Sequence, residues 1–127
     1  MKVFDSKQGW GTKVNFVDEN DVFVGYDMGQ DCCEWADWFI ENSPTKWSYD
    51  FDEKNLNQPR DLDDYRFDPD YFEYGQGDLD EGGMVVFRLV SKERPDRYLH
   101  IFNCHNGYYS HGFAFGKGNE KWKEDYI

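Results

Sequence analysis

Residues 84–115 read MVVFRLVSKERPDRYLHIFNCHNGYYSHGFAF, and this stretch decides the fold class. Met84 to Val90, Arg97 to Phe102 and Tyr108 to Phe115 are rich in β-branched and aromatic residues, the composition of strands. Between them, Ser91 to Asp96 contains Pro95 and Asn103 to Gly107 contains Asn106-Gly107. Pro presets φ for a turn, and Asn-Gly accepts the positive φ that a tight hairpin requires. The stretch predicts a three-stranded antiparallel meander.

Working outward, Lys13 to Val17 and Val22 to Met28 are strand-formers flanking Asp18-Glu19-Asn20-Asp21, which predicts a hairpin, with Gly25 as a candidate bulge. In 30–40, Trp35, Trp38 and Phe39 stand at i, i+3, i+4 and fit a helix face. Alternation around Cys33 and Trp35 fits a strand equally well. In the charged tail Lys117 to Ile127, Trp122 and Tyr126 at i, i+4 predict a short docking helix. The expected class is α+β, predominantly antiparallel β: an early hairpin plus a C-terminal three-stranded meander, with one or two short helices.

With 127 residues there is room for one domain, spanning 1–127. Leu, Ile and Val total 16 against 25 aromatic residues, so rings must build the core, each burying roughly 150–250 Å². The formal charge is −12, from 14 Lys plus Arg against 26 Asp plus Glu, which argues against direct binding to nucleic acid or an anionic membrane. The longest apolar run, Met84 to Phe87, is far short of the roughly 20 residues of a membrane span. Met1-Lys2 runs into polar Asp5-Ser6-Lys7-Gln8 rather than an apolar signal core, so a cytoplasmic location is expected.

The charge is not spread evenly. Residues 41–82 hold 13 acidic and 4 basic side chains, three quarters of the net charge. Trp47, Tyr49 and Phe51 alternate with Ser48, Asp50 and Asp52, and Tyr65 and Phe67 repeat the pattern briefly. Such alternation describes a half-buried strand with acids outward, so an ordered acidic insertion at about 41–82 is expected.

Two strings carry a resemblance. Gln30-Asp31-Cys32-Cys33-Glu34 together with Asn106-Gly107-Tyr108-Tyr109-Ser110 resembles a small uncharacterised bacterial and phage domain family. In that family an early hairpin leads to a Q-D-C-C-E string and a late N-G-Y-Y-S strand closes the fold. The match covers roughly 10–40 and 84–115; the stretch 41–82 is longer and more acidic than the family pattern, and Cys104-His105 precedes the Asn-Gly pair. The resemblance implies a fold, and a phage or mobile-element setting, without an activity.

Three cysteines, two of them adjacent, do not make a disulfide framework. Cys32, Cys33 and Cys104 with His100, His105 and His111 are enough donors for zinc, but only His100 and Cys104 have a usable spacing, placing them on one face of a strand. Free thiols filling a core is the alternative. Asp61-x-Asp63, Asp68-x-Asp70 and Asp78-x-Asp80 do not complete an EF-hand loop: after Asp68 positions 6 and 12 are Glu73 and Leu79, and after Asp78 position 6 is Gly83 but position 12 is Leu89. No nucleophile elbow, P-loop or zincin motif is present, so no catalytic residues are assigned and no cofactor is expected.

Two readings of function follow. In the first, the chain is a non-catalytic binding protein that meets a basic protein partner. Outward acids at i and i+2 on a strand lie roughly 6.8 Å apart, the order of spacing of nucleic-acid phosphates. The expected surface is Asp50, Asp52, Asp61, Asp63, Asp64, Asp68 and Asp70, with Tyr49, Tyr65 and Tyr71 as anchors. In a phage setting this describes an inhibitor occupying a nucleic-acid-binding site on a host protein. In the second, Asp31, Cys32, Cys33 and Glu34 meet Asn106, Gly107, Tyr108 and Tyr109 to bind a metal or small ligand, or these strings simply close the sheet.

Overall fold

The computed structural model describes residues 1–8, 11–29, 35–44, 61–74, 82–104 and 110–127, and among them every regular element is a strand. In chain order these are β1 (Lys2–Gln8), β2 (Gly11–Val17), β3 (Val22–Asp27), β4 (Trp35–Glu41), β5 (Arg66–Phe67), β6 (Glu73–Tyr74), β7 (Gly82–Val90), β8 (Arg97–Cys104), β9 (Gly112–Lys117) and β10 (Glu120–Tyr126). They form two antiparallel sheets. The first has the order β1-β2-β3-β9-β10; the second has β4-β8-β7-β5, with β6 also paired to β7.

The early hairpin is present. Val17 faces Phe23 across β2 and β3, and Asp21 closes the loop in the left-handed region at φ 61°, a conformation Asp tolerates better than most residues. Alternation along these strands sends Val14, Phe16, Val22, Val24 and Tyr26 inward. Gly25 is not a bulge: it pairs in register with Asn15 and Ala114, and the register shift lies instead between Lys121 and Lys123 of β10.

The sheets share one core, to which the first gives Phe16, Tyr26, Phe113 and Phe115 and the second gives Trp38, Phe87, Leu99 and Ile101. Edge-to-face contacts knit it: Phe16 on Trp38 at 5.0 Å and Phe87 on Phe115 at 5.1 Å between ring centroids. Burying each such ring contributes up to roughly 3 kcal/mol. Tyr26 meets its polar obligation by donating its hydroxyl to the Phe102 carbonyl at 2.7 Å.

Three expectations are corrected. The C-terminal meander is interrupted: β7 and β8 pair, but β9 crosses to the other sheet and inserts between β3 and β10. Both edges of β8 are taken, by β7 and β4, so no edge is left for a third strand. Asn103 and Cys104 belong to β8 rather than to a turn, whereas the Asn106-Gly107 turn lies outside the described residues. The docking helix at Trp122 and Tyr126 is strand β10. It returns from β9 through Gly118-Asn119, with Gly118 at φ 59° as the first central residue of a two-residue hairpin loop.

At Trp35–Glu41 the strand alternative holds. Ala36, Trp38 and Ile40 enter the shared core, while Phe39 enters a second cluster with Met84, Val86 and Phe102 on the other face of the same sheet. A strand buried on both faces loses polar alternation, which is why its rings also fit a helix face.

Candidate binding surface

Within the acidic stretch, residues 61–74 belong to the fold itself. Leu62, Tyr65 and Phe67 are buried in the shared core. Leu62 to Tyr65 and Asp68 to Tyr71 are turns, closed by Tyr65 N on Leu62 O at 3.0 Å and Tyr71 N on Asp68 O at 3.2 Å. The second has Asp first and Pro69 second, the preferred order for a type I turn. Leading aspartates brace both turns: Asp61 Oδ1 accepts from Asp63 N at 3.2 Å and Asp68 Oδ1 from Asp70 N at 3.0 Å.

This stretch is fastened to the sandwich by an aspartate outside it. Asp18 is 5% exposed. Its Oδ1 accepts from Asn20 N at 2.8 Å and Val22 N at 3.0 Å, closing the early hairpin. Its Oδ2 accepts from Phe67 N at 2.9 Å, across 49 residues of sequence. Turn chemistry marks Asp18 in the sequence, but nothing there points to Phe67.

The structure redistributes the expected acidic face. Asp64 pairs with Arg94, which also lies 3.8 Å from Asp61. Asp68 pairs with Arg88 at 3.3 Å. These three carboxylates are thus partly answered by the chain's own arginines, carried on β7 and on the connection to β8. Asp63 and Asp70 remain exposed, with no ion pair to a described residue.

Tyr65 is not a surface anchor. It is 2% exposed, donates to the Pro95 carbonyl at 2.8 Å, accepts from Arg97 Nε at 3.1 Å, and lies under Arg94 at 4.7 Å. Tyr71 is partly exposed, sandwiched by the Arg88 guanidinium at 4.2 Å and edge-on to Tyr98 at 5.7 Å. Burial, and then the hydrogen bond it donates to Glu73 at 2.6 Å, push its phenol up to about 12. Tyr49, Asp50 and Asp52 lie outside the described residues.

The ligand alternative divides the same way. Asp31, Cys32, Cys33, Glu34, Asn106, Gly107, Tyr108 and Tyr109 lie outside the described residues. The register does set Trp35 opposite Cys104, so the start of β4 and the end of β8 lie side by side at one end of the second sheet. His100 is fully buried, stacked on Phe39 at 4.3 Å, with Nδ1 3.1 Å from the Tyr98 carbonyl. Burial lowers its pKa to about 4, so the ring is a neutral core group. Among the described residues no group of three or more His, Cys, Asp or Glu converges as a metal site.

No helix among the described residues is long and apolar enough to cross a membrane. Compared with known proteins, the chain matches no family model, no curated protein and no solved structure.

Proposed function

We propose that the chain is a non-catalytic binding protein whose 61–74 surface docks a basic protein partner. The observation that carries this reading is the fastening of a strongly acidic segment into the core by Leu62, Tyr65, Phe67 and the Asp18 carboxylate. A solvated charge run needs no such anchorage. Fixed turns hold Asp63 and Asp70 exposed at defined positions, and pre-ordered charge binds without the entropy cost of ordering a loop. In a phage or mobile-element setting the partner is a nucleic-acid-binding host protein, whose basic groove takes the acidic surface in place of a phosphate backbone.

The test is affinity capture from a bacterial lysate with a salt gradient, followed by binding measurements on the recovered partner. The Asp63→Asn/Asp70→Asn double variant is expected to elute earlier and bind several-fold more weakly at low salt, with the difference shrinking as salt rises. Duplex DNA is expected to compete for the partner. Equal retention of the double variant and the parent would refute the assigned surface, and failure of DNA to compete would refute the mimicry.

A further inference from the structure

The first sheet has an outer face that carries a trough of about 260 Å³. Register explains it. One cross-strand row runs Asn15, Gly25, Ala114, Glu124 over β2, β3, β9 and β10. The two central strands offer a hydrogen and a methyl where the flanking strands offer long side chains. In the next row Lys13 pairs with Asp27 and Gly112 with Tyr126, so β9 offers only a hydrogen there. At the other end Phe23, two residues along β3 from Gly25, lines the trough. The flanking strands β2 and β10 are three strand spacings apart, roughly 14 Å.

Both floor glycines are used by a neighbour. Asn15 Oδ1 sits 2.8 Å from where a Cβ of Gly25 would stand, so its amide leans over the floor. The Tyr126 ring lies across Gly112, with ring carbons 3.3 and 3.6 Å from the corresponding position. Even so, Tyr126 is 69% exposed. A ring seated on backbone and open to solvent is a stacking platform.

Charge decides the ligand class. Lys13 stands opposite Asp27, Glu124 is paired with Lys121 at 3.5 Å, and Asp125 accepts the Tyr74 hydroxyl at 2.7 Å. Three carboxylates, Asp27, Glu124 and Asp125, stand there with two ammonium groups, Lys13 and Lys121, so an anion is disfavoured, and the small residual negative charge, open to solvent, gives a cation only a screened attraction. The remaining offer is an aromatic face beside amide and carboxylate acceptors and amide and ammonium donors. A saccharide ring has the matching chemistry, with an apolar C–H face and a rim of neutral hydroxyls. We propose that this trough binds a neutral saccharide, one ring stacked on Tyr126 and its hydroxyls held by Asn15, Asp27 and Glu124. The volume, a little below the roughly 300–1,000 Å³ of drug-sized pockets, suits one sugar ring of a longer chain.

Titration of ¹⁵N-labelled protein tests this, with methyl glycosides of glucose, galactose, mannose, xylose and N-acetylglucosamine, and tetramethylammonium chloride as the cation comparator. At least one glycoside is expected to shift the Gly25, Gly112 and Ala114 amides and to saturate with a dissociation constant of about 1 mM. Tyr126→Ala and, independently, Asn15→Ala are each expected to weaken that binding about tenfold or more. Tyr126→Phe, which keeps the ring, is expected to retain it. No localised shifts with any glycoside, stronger shifts with tetramethylammonium, or unchanged affinity in both the Tyr126→Ala and Asn15→Ala variants would overturn the proposal.

Discussion

Replacing Asp18 tests the central joint of the fold. Its carboxylate accepts three backbone N–H groups, from Asn20, Val22 and Phe67, at 2.8, 3.0 and 2.9 Å, in a side chain 5% exposed. In Asp18→Ala the Val22 and Phe67 amides stay buried without an acceptor, at about 1–3 kcal/mol each. The Asn20 amide is partly exposed and recovers water, and removing a buried carboxylate returns some desolvation energy. The expected net loss is about 3–4 kcal/mol, a large share of the 5–15 kcal/mol typical of a domain. That corresponds to roughly 10–20 °C in Tm for a chain of this size. Asp18→Asn separates the two ends of the joint: its oxygen serves either the hairpin or Phe67, and its NH₂ then opposes an N–H on the other side. About 2 kcal/mol is expected, between parent and Asp18→Ala. Urea unfolding followed by tryptophan fluorescence gives the energies, and hydrogen exchange at Phe67 and Val22 reports the local opening. A loss under about 1 kcal/mol in Asp18→Ala, or parental stability in Asp18→Asn, would refute the reasoning.

Three further outcomes are expected. Burial lowers the His100 pKa from its ordinary 6.5 to about 4, so above pH 6.5 the ring is neutral in both states and costs nothing. As pH falls from 6.5 to 4 the unfolded chain binds a proton that the folded one refuses, and stability drops by roughly 3 kcal/mol. His100→Phe should flatten that part of the profile in urea unfolding at pH 7.5, 5 and 4; an unchanged slope would assign the dependence elsewhere. A Cβ at Gly116 would stand 1.9 Å from the Glu120 carbonyl oxygen, a backbone atom, so Gly116→Ala must part β9 from β10 and cost about 2 kcal/mol or more in thermal unfolding. Gly118→Ala meets open space and bears only the strain of φ 59°, about 1 kcal/mol; the reverse ranking would count against the register. In a spectrophotometric titration the Tyr71 phenol should ionise late, near pH 12, and Tyr71→Phe should reduce the absorbance change at that alkaline end; no reduction there would refute the shift.

Much of the architecture is legible in local pattern. Alternation of Val14, Phe16, Val22 and Val24 about the Asp18–Asp21 turn marks β2 and β3, and Met84–Val90 with Arg97–Phe102 marks β7 and β8. The excess of rings over aliphatic residues correctly announces an aromatic core. Gly118-Asn119, a recognised hairpin dipeptide, was also readable and outweighs the i, i+4 spacing of Trp122 and Tyr126 that suggested a helix. At Trp35–Glu41 periodicity was uninformative, because a strand buried on both faces shows none.

The candidate surface was less legible. Counting acids located the charge in 41–82, but Asp61, Asp64 and Asp68 acquire Arg94 and Arg88 from a strand and a connection 20 to 33 positions away. Tyr65 reads as an amphipathic surface ring and is buried beneath two arginines. Tyr126 reads as a helix contact and becomes a platform, because β10 sets it opposite Gly112.

Composition and local spacing determine which segments extend, where the chain turns, and that rings must fill the interior, since these depend on a residue and its near neighbours. Tertiary structure alone decides that β9 leaves β8 for β3, that Asp18 holds Phe67, and which carboxylates are left facing water. Those outcomes depend on which strand edges are already occupied and which side chains distant segments bring within a few ångströms.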